Sequence, residues 1–300
     1  MKSSKLPTFE KKPDTHCGTI AIIGRPNVGK STLLNKILGE KLSITSAKPQ
    51  TTRQQILGIK TQENTQWIYI DTPGLHQNSQ RRLSRTMVRS AINALVNVDM
   101  IGFVIEAGRW TAEDEAILER LKQQEHPVLL IINKVDKIKD KARLLPYLQS
   151  CYQKMPFLAI IPVSAQKGDN IGELEKVIAA ALPRAEFIYP PEQSTDRSRR
   201  FLAAEFIREK LMRSLYQELP YWLTVSIEQF EEQKKIIKIA AIIWTERSGQ
   251  KAIIIGKKGE VLKKIGTDAR FDMEECFGKK VYLNLWVKVK AGWSEEEGSL

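Results

Sequence analysis

A glycine-rich stretch near the N-terminus carries the residue types that bind phosphate. Residues 24–31 read Gly-Arg-Pro-Asn-Val-Gly-Lys-Ser, which fits the pattern G-x-x-x-x-G-K-[ST]. Gly24 and Gly29 permit a tight turn whose backbone N–H groups point at phosphate oxygens, and a following helix adds the positive end of its dipole. Lys30 would place its charge between the terminal phosphates, and the Ser31 hydroxyl would bind Mg²⁺. The stretch predicts a P-loop.

The flanking residues favour this interpretation. An apolar run, 19–23, precedes the loop, and residues 32–38 have the pattern of a helix. The alternative is a glycine turn between a strand and a helix without a ligand. The remaining predicted nucleotide contacts of this region are Arg25, Pro26, Asn27, Val28 and Thr32.

Two later segments could complete a magnesium site and sense a terminal phosphate. Asp71 follows the apolar run 67–70 and begins Asp-Thr-Pro-Gly, so its carboxylate would hold Mg²⁺ through water. Gly74 would bring its backbone N–H to the terminal phosphate. Thr52, in the segment 44–61 that we predict to be a loop, would offer a hydroxyl to the metal, although threonine pairs in loops are common. The other predicted contacts of these segments are Thr72, Pro73 and Leu75.

A third motif would determine which nucleotide base is bound. Asn133-Lys134-Val135-Asp136 follows the apolar run 128–132. The Asp136 carboxylate would accept two hydrogen bonds from guanine, whereas adenine offers no such pair of donors. Asn133 would support the loop, and the Lys134 stem would cover the base plane. Further contacts with guanine would come from Ser164 and Ala165. The ligand is therefore predicted to be GTP.

The position after Asp-Thr-Pro-Gly bears on the rate of hydrolysis. Many GTPases carry a glutamine there that orients the attacking water. Here the residue is Leu75, whose aliphatic side chain cannot do so. Intrinsic hydrolysis is therefore predicted to be slow.

The elements that position these motifs alternate between strands and helices up to residue 182. Such alternation indicates an α/β fold with a mostly parallel sheet, in which ligands bind beyond the carboxyl ends of the strands. The predicted strands are 19–23, 67–70, 100–105, 128–132 and 158–163, and the helices after the first are 83–96, 112–123, 142–152 and 171–181.

The second half of the chain has another pattern, namely helix, strand, strand, helix pair, strand. A G-x-x-G loop with two lysines within the helix pair is typical of a KH module, which clamps a nucleic-acid backbone. Alone, such a loop is more often a basic turn. The loop residues are Gly256, Lys257, Lys258 and Gly259. The predicted organisation is a tail (1–16), a GTPase domain (17–182), a linker (183–200), a KH domain (201–290) and a C-terminal tail (291–300).

Composition indicates which class of partner the protein binds and in which cellular compartment it lies. The formal net charge of +12 favours an anionic partner such as nucleic acid or anionic lipid. Three widely spaced cysteines indicate neither a disulfide framework nor a zinc site, and no apolar run approaches the length of a membrane span. We therefore expect a cytoplasmic protein.

Taken together, the motifs resemble those of the Era family of bacterial GTPases. They are G-R-P-N-V-G-K-S, Q-T-T-R, D-T-P-G-L-H, N-K-V-D and V-S-A, followed by I-I-G-K-K-G and L-W-V-K-V-K-A-G-W. The resemblance spans about residues 17–293. It implies a Ras-like GTPase domain, alternating between GTP and GDP with Mg²⁺, joined to a type II KH domain.

The resemblance also implies partners. These are the 3′ end of 16S ribosomal RNA and the 30S subunit whose maturation the protein assists, with a loosely membrane-associated pool of a monomeric protein. In relatives that lack the glutamine, an asparagine at the position of Asn27 helps to hold K⁺ beside the phosphates, which makes K⁺ a further predicted cofactor.

Two rival functions remain open from the sequence. One is an RNA-binding assembly checkpoint in which the nucleotide is mainly structural. The other is an RNA-modification GTPase, which the absence of a cysteine- or metal-based second active site disfavours. We predict a molecular switch, in which hydrolysis releases the segments around Thr52 and Asp71–Leu75 and alters how the KH domain meets RNA.

Overall fold

The structure is a computed structural model that describes residues 14–46, 55–72, 98–215 and 223–290. Within these residues the chain forms two separate sheets, of six and three strands. No helix in the described residues is long and apolar enough to cross a membrane. The predicted helix 83–96 lies outside them.

The first sheet is of the mostly parallel kind that the alternation predicted. Its strands are β1 (His16–Ile23), β2 (Ile56–Gln62), β3 (Thr65–Asp71), β4 (Met100–Glu106), β5 (Val128–Asn133) and β6 (Ala159–Pro162). Its helices are α1 (Lys30–Leu38), α2 (Ala112–Leu121), α3 (Leu144–Tyr152) and α4 (Ile171–Ala181). The strand order is β2-β3-β1-β4-β5-β6, and only the β2–β3 pair is antiparallel.

The central strands are apolar on both sides because helices cover both faces of the sheet. Separate hydrophobic clusters lie on the two faces, one built around Phe103 and Leu130, the other around Ile22 and Leu33. This arrangement leaves the carboxyl ends of β1, β3, β5 and β6 together at one edge of the sheet.

One sequence prediction in this domain is wrong in part. We expected a loop over residues 44–61, but Ile56–Gln62 forms the antiparallel edge strand β2. The sequence did not indicate this strand because only one of its faces is apolar. Its residues, Ile-Leu-Gly-Ile-Lys-Thr-Gln, lack the continuous hydrophobicity of a buried parallel strand.

The second sheet carries the predicted helix, strand, strand, helix pair, strand order. Its elements are α5 (Arg199–Ser214), β7 (Thr224–Glu232), β8 (Ile236–Thr245), α6 (Ser248–Ile255), α7 (Glu260–Phe277) and β9 (Lys280–Val289). β8 pairs antiparallel with β7 and parallel with β9, which is an edge strand among the described elements. Helices α5 and α7 pack on one face around Phe206 and Met273.

The segment between the two sheets is hydrogen-bonded to the first domain. The Ile59 N–H of β2 donates to the Ser194 carbonyl at 2.7 Å. The Gln66 Oε1 of β3 accepts from the Ile188 and Tyr189 N–H groups at 2.9 and 3.0 Å. Much of the predicted linker 183–200 therefore lies along β2 and β3.

A buried ion cluster joins the two domains. The Lys41 ammonium, three residues after α1, contacts both Glu209 of α5 and Asp272 of α7. Glu209 is fully buried, and its Oε1 also accepts from the N–H and the hydroxyl of Thr45, each at 3.0 Å. The neighbouring Leu42 is buried in the core of the second domain. The short segment after α1 is thus anchored in the second domain.

Candidate active site

The loop between β1 and α1 adopts a backbone that requires glycine at both ends. Gly24 has φ 152° and Gly29 has φ 99°. A Cβ on Gly24 would lie 2.3 Å from the Val104 carbonyl oxygen, and one on Gly29 would lie 2.4 Å from Asn133 Nδ2. The loop is therefore fixed against β4 and the end of β5, as an anion-binding loop at the start of a helix should be.

Lys30 lies across the inside of this loop. Its ammonium donates to the carbonyl oxygens of Gly24 and Arg25 at 3.0 and 3.1 Å. Burial lowers the pKa of Lys30 to about 8, while Asp71 raises it and the Arg25 guanidinium lowers it. A bound phosphate would favour the charged ammonium, so the site is electrostatically matched to an anion.

The two predicted magnesium ligands of the described residues meet. The Ser31 hydroxyl donates to Asp71 Oδ2 at 3.0 Å, and Asp71 is fully buried at the end of β3. A hydroxyl and a carboxylate are oxygen ligands of the kind that Mg²⁺ prefers, so this pair fits the ion. The Thr72 hydroxyl donates to the Ile22 carbonyl at 2.8 Å, so this side chain is held by β1. Its contact with the nucleotide stays a prediction.

Asn133 ties three loops together. Its Nδ2 donates to the Val28 carbonyl at 2.9 Å, and its Oδ1 accepts from the N–H groups of Lys134 and Ala165 at 2.8 and 3.0 Å. The side chain is buried and held by these bonds. Asn133 therefore holds the phosphate-binding loop and the loops after β5 and β6 together.

The proposed base-binding residues lie beside it. The Ser164 hydroxyl donates to Asp136 Oδ1 at 2.6 Å, which orients the carboxylate that would bind guanine. Lys134 has φ 66°, and its ammonium donates to the Asn27 carbonyl at 2.6 Å and lies 3.2 Å from Glu106 Oε2. Its position links the base-binding loop to the phosphate-binding loop.

Two acidic residues of this site were missed from the sequence. Arg25 was predicted to contact the nucleotide. Its buried guanidinium instead contacts Asp114 at 3.1 Å and Glu106 at 3.3 Å, so only the backbone of Arg25 is left to contact the phosphates. Burial would raise the pKa of Glu106, but Lys134 and Arg25 hold it below its usual value. The positions of these two residues in the sequence could have indicated them, because Glu106 is the last residue of β4 and Asp114 forms a capping box with Thr111 at the start of α2.

Several predicted residues lie outside the described part of the chain. These are Thr52, Pro73, Gly74 and Leu75. Pro26 lies within the described phosphate loop, and Thr32 lies in the first turn of α1.

The second candidate site is the loop between α6 and α7. Gly256 and Gly259 have φ 72° and 81°, and a Cβ on Gly256 would lie 2.4 Å from Val261 Cγ2. Lys257 and Lys258 between them are exposed. Because α7 starts at the next residue, its N-terminus adds favourable backbone charge for a phosphate.

Comparisons with known proteins agree with this geometry. A family model described as 50S ribosome-binding GTPase matches residues 19–134, and one described as KH domain matches residues 218–294. GTPase Era of Coxiella burnetii is 56% identical over 283 residues, which cover 94% of this chain and 96% of that protein. GTPase Era of Pseudomonas aeruginosa is 55% identical, covering 95% and 94% of the two chains.

The chain belongs to the Era family of GTPases.

Solved Era structures share the whole architecture. Era in complex with MgGDPNP and nucleotides 1506–1542 of 16S ribosomal RNA has a TM-score of 0.88 and 41% identity, covering 93% of this chain and 95% of that one. A variant of Aquifex aeolicus Era bound to GDP·AlF4⁻ gives the same values. The predicted Ras-like GTPase domain followed by a KH domain is therefore confirmed.

Proposed function

We propose that this Era protein hydrolyses GTP to GDP and phosphate as a switch, binds the 3′ end of 16S ribosomal RNA through its KH domain, and assists maturation of the 30S subunit. The main support for the proposal is that Lys30, the Ser31–Asp71 pair and the loops held by Asn133 lie together in one site. The similar Era structure with MgGDPNP and 16S RNA supports the partners.

The chemistry is phosphoryl transfer to water. Attack at the γ-phosphorus breaks its bond to the β–γ bridging oxygen, and the electron pair leaves with GDP. Lys30 and the loop N–H groups offset the charge that develops on the phosphate oxygens. Ser31, Asp71 through water and, on our prediction, Thr52 would hold Mg²⁺, which would supply further charge neutralisation. The Gly74 N–H is proposed to contact the γ-phosphate.

The proposed basis of guanine selection is Asp136 beside Ser164. A carboxylate oriented by a 2.6 Å hydrogen bond keeps acceptor capacity for the guanine donors. Ala165, whose N–H is already held by Asn133, would fix the neighbouring loop rather than contact the base through that group.

Potassium is proposed as an aid to hydrolysis, because Leu75 cannot orient water. Asn27 lies in the phosphate loop with φ 63°, and its carbonyl is held by Lys134. Hydrolysis by the wild-type chain should be several-fold faster in potassium than in sodium, and Asn27→Ala should remove that difference. Equal rates in the two salts would contradict the role.

The joint between the domains supports the switch over a checkpoint with a structural nucleotide. Thr45 is held by Glu209 of the second domain, and it lies seven residues before Thr52. A rearrangement around Thr52 on hydrolysis would therefore displace the segment that contains Lys41 and Leu42, which contacts the second domain.

The test compares RNA affinity in two nucleotide states. The chain is loaded with GDPNP or GDP, and binding of the 1506–1542 RNA is measured by fluorescence anisotropy. Unequal affinities support the switch, and equal affinities favour the checkpoint. Turnover of GTP with Mg²⁺ in the same preparation tests the hydrolytic part.

We also propose a cytoplasmic monomer with a loosely membrane-associated pool, and domain limits at 17–182 and 201–290. The net charge of +12 gives attraction to anionic lipid. Sedimentation with and without anionic vesicles would measure both the mass and the lipid-bound fraction.

A further inference from the structure

One face of the second sheet is aromatic and exposed. Side chains of β9 alternate, so Val281, Leu283, Leu285 and Val287 pack toward the core while the intervening residues point away. Among these outward residues, Tyr282 is 55% exposed and Trp286 is 48% exposed. Exposed apolar side chains that share one face can mark an interaction site, whereas a single exposed ring needs no explanation.

The same face is basic. Parallel pairing places Lys238 of β8 beside Tyr282, and Lys288 beside Trp244. The Lys288 ammonium lies 5.9 Å from the Trp244 ring centroid. Strands β8 and β9 contain three lysines and no carboxylate, whereas β7, across β8, carries the glutamates of this sheet. Glu231 of β7 lies opposite Lys238 in this register, whereas Lys288, on β9, lies two strands away from the glutamates of β7.

We propose that this surface, the β8–β9 aromatic face, is a second RNA-binding site of the domain. Tyr282 and Trp286 stack on unpaired bases, and Lys238 and Lys288 bind the phosphates. The inference rests on the proposed RNA-binding function and adds to it a contact outside the G-x-x-G loop. Positive charge interleaved with exposed rings is the chemistry that recognises single-stranded nucleic acid.

The spacing of the rings sets the length of RNA. Residues four apart on a strand are separated by about 13 Å, at about 3.3 Å per residue. Stacked nucleotides rise about 3.4 Å each, so the two rings lie about four steps apart and one strand must supply about five nucleotides to cover both. Asn284 lies between them on the same face and offers an amide to a base edge.

The location suits an RNA that already occupies the G-x-x-G loop. A Cβ on Gly266 of α7 would lie 3.3 Å from Leu285, so α7, which begins at that loop, packs on the inner side of β9. Trp286 lies on the outer side of the same edge strand. Lys41 of the first domain contacts Glu209 and Asp272 on the helical side of the second domain, which is opposite the β8–β9 aromatic face.

The experiment measures RNA binding by the full chain with GDPNP. The test variant is Tyr282→Thr with Trp286→Thr, because threonine keeps strand propensity without a ring. The matched control is Phe271→Thr, which removes a ring of similar exposure, 57%, from α7. The probes are the 1506–1542 RNA and a shortened RNA of about four nucleotides, the length that a G-x-x-G loop clamps.

The double variant should bind the long RNA at least ~10-fold more weakly, since stacking contributes about 1–3 kcal/mol per base. It should bind the short RNA like the wild type, and Phe271→Thr should bind both normally. Thermal unfolding of each variant shows that the fold is kept. A second measurement, quenching of tryptophan fluorescence by RNA, should be stronger with the long probe, and Trp286→Phe should remove that difference.

Three results would overturn the inference. Wild-type affinity in the double variant, while Lys257→Asp with Lys258→Asp loses binding, would reject the second site and leave the proposed function standing. Full binding by the lysine variant would instead reject the G-x-x-G loop as the RNA contact of the proposed function. Vesicle flotation or self-association that depends on Tyr282 and Trp286, with unchanged RNA affinity, would assign the face to a membrane or to a second copy.

Discussion

The nucleotide site and the RNA-binding loop are built in opposite ways. In the first, Lys30, Asp71 and Asn133 are buried and hydrogen-bonded to other parts of the site. In the second, Lys257 and Lys258 stand exposed on a glycine-bounded turn. We infer that the nucleotide site selects a small ligand by preorganised geometry, whereas the RNA-binding loop attracts a polymer by charge.

The largest effect should follow from breaking the preorganised site. Lys30→Ala removes the buried ammonium, so kcat/KM for GTP should fall by about 10²–10³-fold, the scale seen when one such donor is lost. Steady-state phosphate release measures it. Lys36→Ala, on the exposed side of α1, is the matched control and should keep the wild-type value. A comparable loss in the control would mean that any change in α1 disrupts the loop.

Base selection should be the next most sensitive property. Asp136→Asn replaces an acceptor by an amide, so guanine meets a donor where it needs an acceptor, and GDP affinity should fall about 10–100-fold. Competition binding with GDP measures it. Asp140→Asn, four residues later and exposed, is the control. Undiminished GDP binding in Asp136→Asn would remove that residue from base recognition.

The exposed loop should respond to charge in a graded manner. Lys257→Ala with Lys258→Ala should weaken RNA binding and lower the slope of log affinity against log salt by about 1.4, at about 0.7 per phosphate contact on a single strand. Titrations at several salt concentrations measure the slope. Lys176→Ala, an exposed lysine of α4, should leave it unchanged. An unaltered slope in the loop variant would separate these lysines from RNA phosphates.

A smaller effect should distinguish the two sites by pH. Burial lowers the pKa of Lys30 to about 8, below its ordinary value. The buried ammonium therefore costs stability below pH 8, and that cost is relieved as pH rises from about 8 toward 10.5. Binding of GDPNP needs the charged form, so affinity should fall above pH 8 by up to about tenfold per unit.

Calorimetric titrations between about pH 7 and 9.5 test this sign. Lys30→Arg stays charged and should lose the extra pH dependence, while the titration of guanine itself is common to both proteins. RNA binding by the exposed loop should change little over about pH 7–8.5, because lysine ammonium groups in water stay charged there. A flat GDPNP affinity in the wild type would show that bound phosphate is not recognised through Lys30.

The sequence was most informative where function restricts residue type. The P-loop, Asp71 and the Asn133–Asp136 motif could be located because each requires particular side chains directly after a strand. The fold class and the KH order followed from hydrophobic periodicity. Thr52, Gly74 and Leu75 lie outside the described residues, and their roles stay predictions.

The rest depends on contacts between distant parts of the chain. Lys41 meets Glu209 and Asp272 across separations of 168 and 231 residues, and no local pattern indicates such a pairing. The direction of the Arg25 side chain was likewise hidden, because its partners Glu106 and Asp114 have no spacing rule that links them to the loop. Long-range charge pairs of this kind require the folded structure.

We propose that the nucleotide site and the RNA-binding loop are coupled through the contacts of Glu209, so substitutions there should break the coupling. Glu209→Gln removes the charge that holds Lys41 and Thr45, while Glu205→Gln, whose partner Arg208 lies on the same helix, is the control. Because losing one partner of a buried pair costs about 3–5 kcal/mol, Thr45→Val provides a milder second variant.

The most direct measurement is the ratio of affinities for the 1506–1542 RNA with GDPNP and with GDP, made on wild type and these variants under one salt condition. We expect about tenfold tighter binding with GDPNP in the wild type and in Glu205→Gln, the scale of a typical coupling free energy. In Glu209→Gln and Thr45→Val the ratio should approach one. Equal affinities in the wild type would contradict the switch.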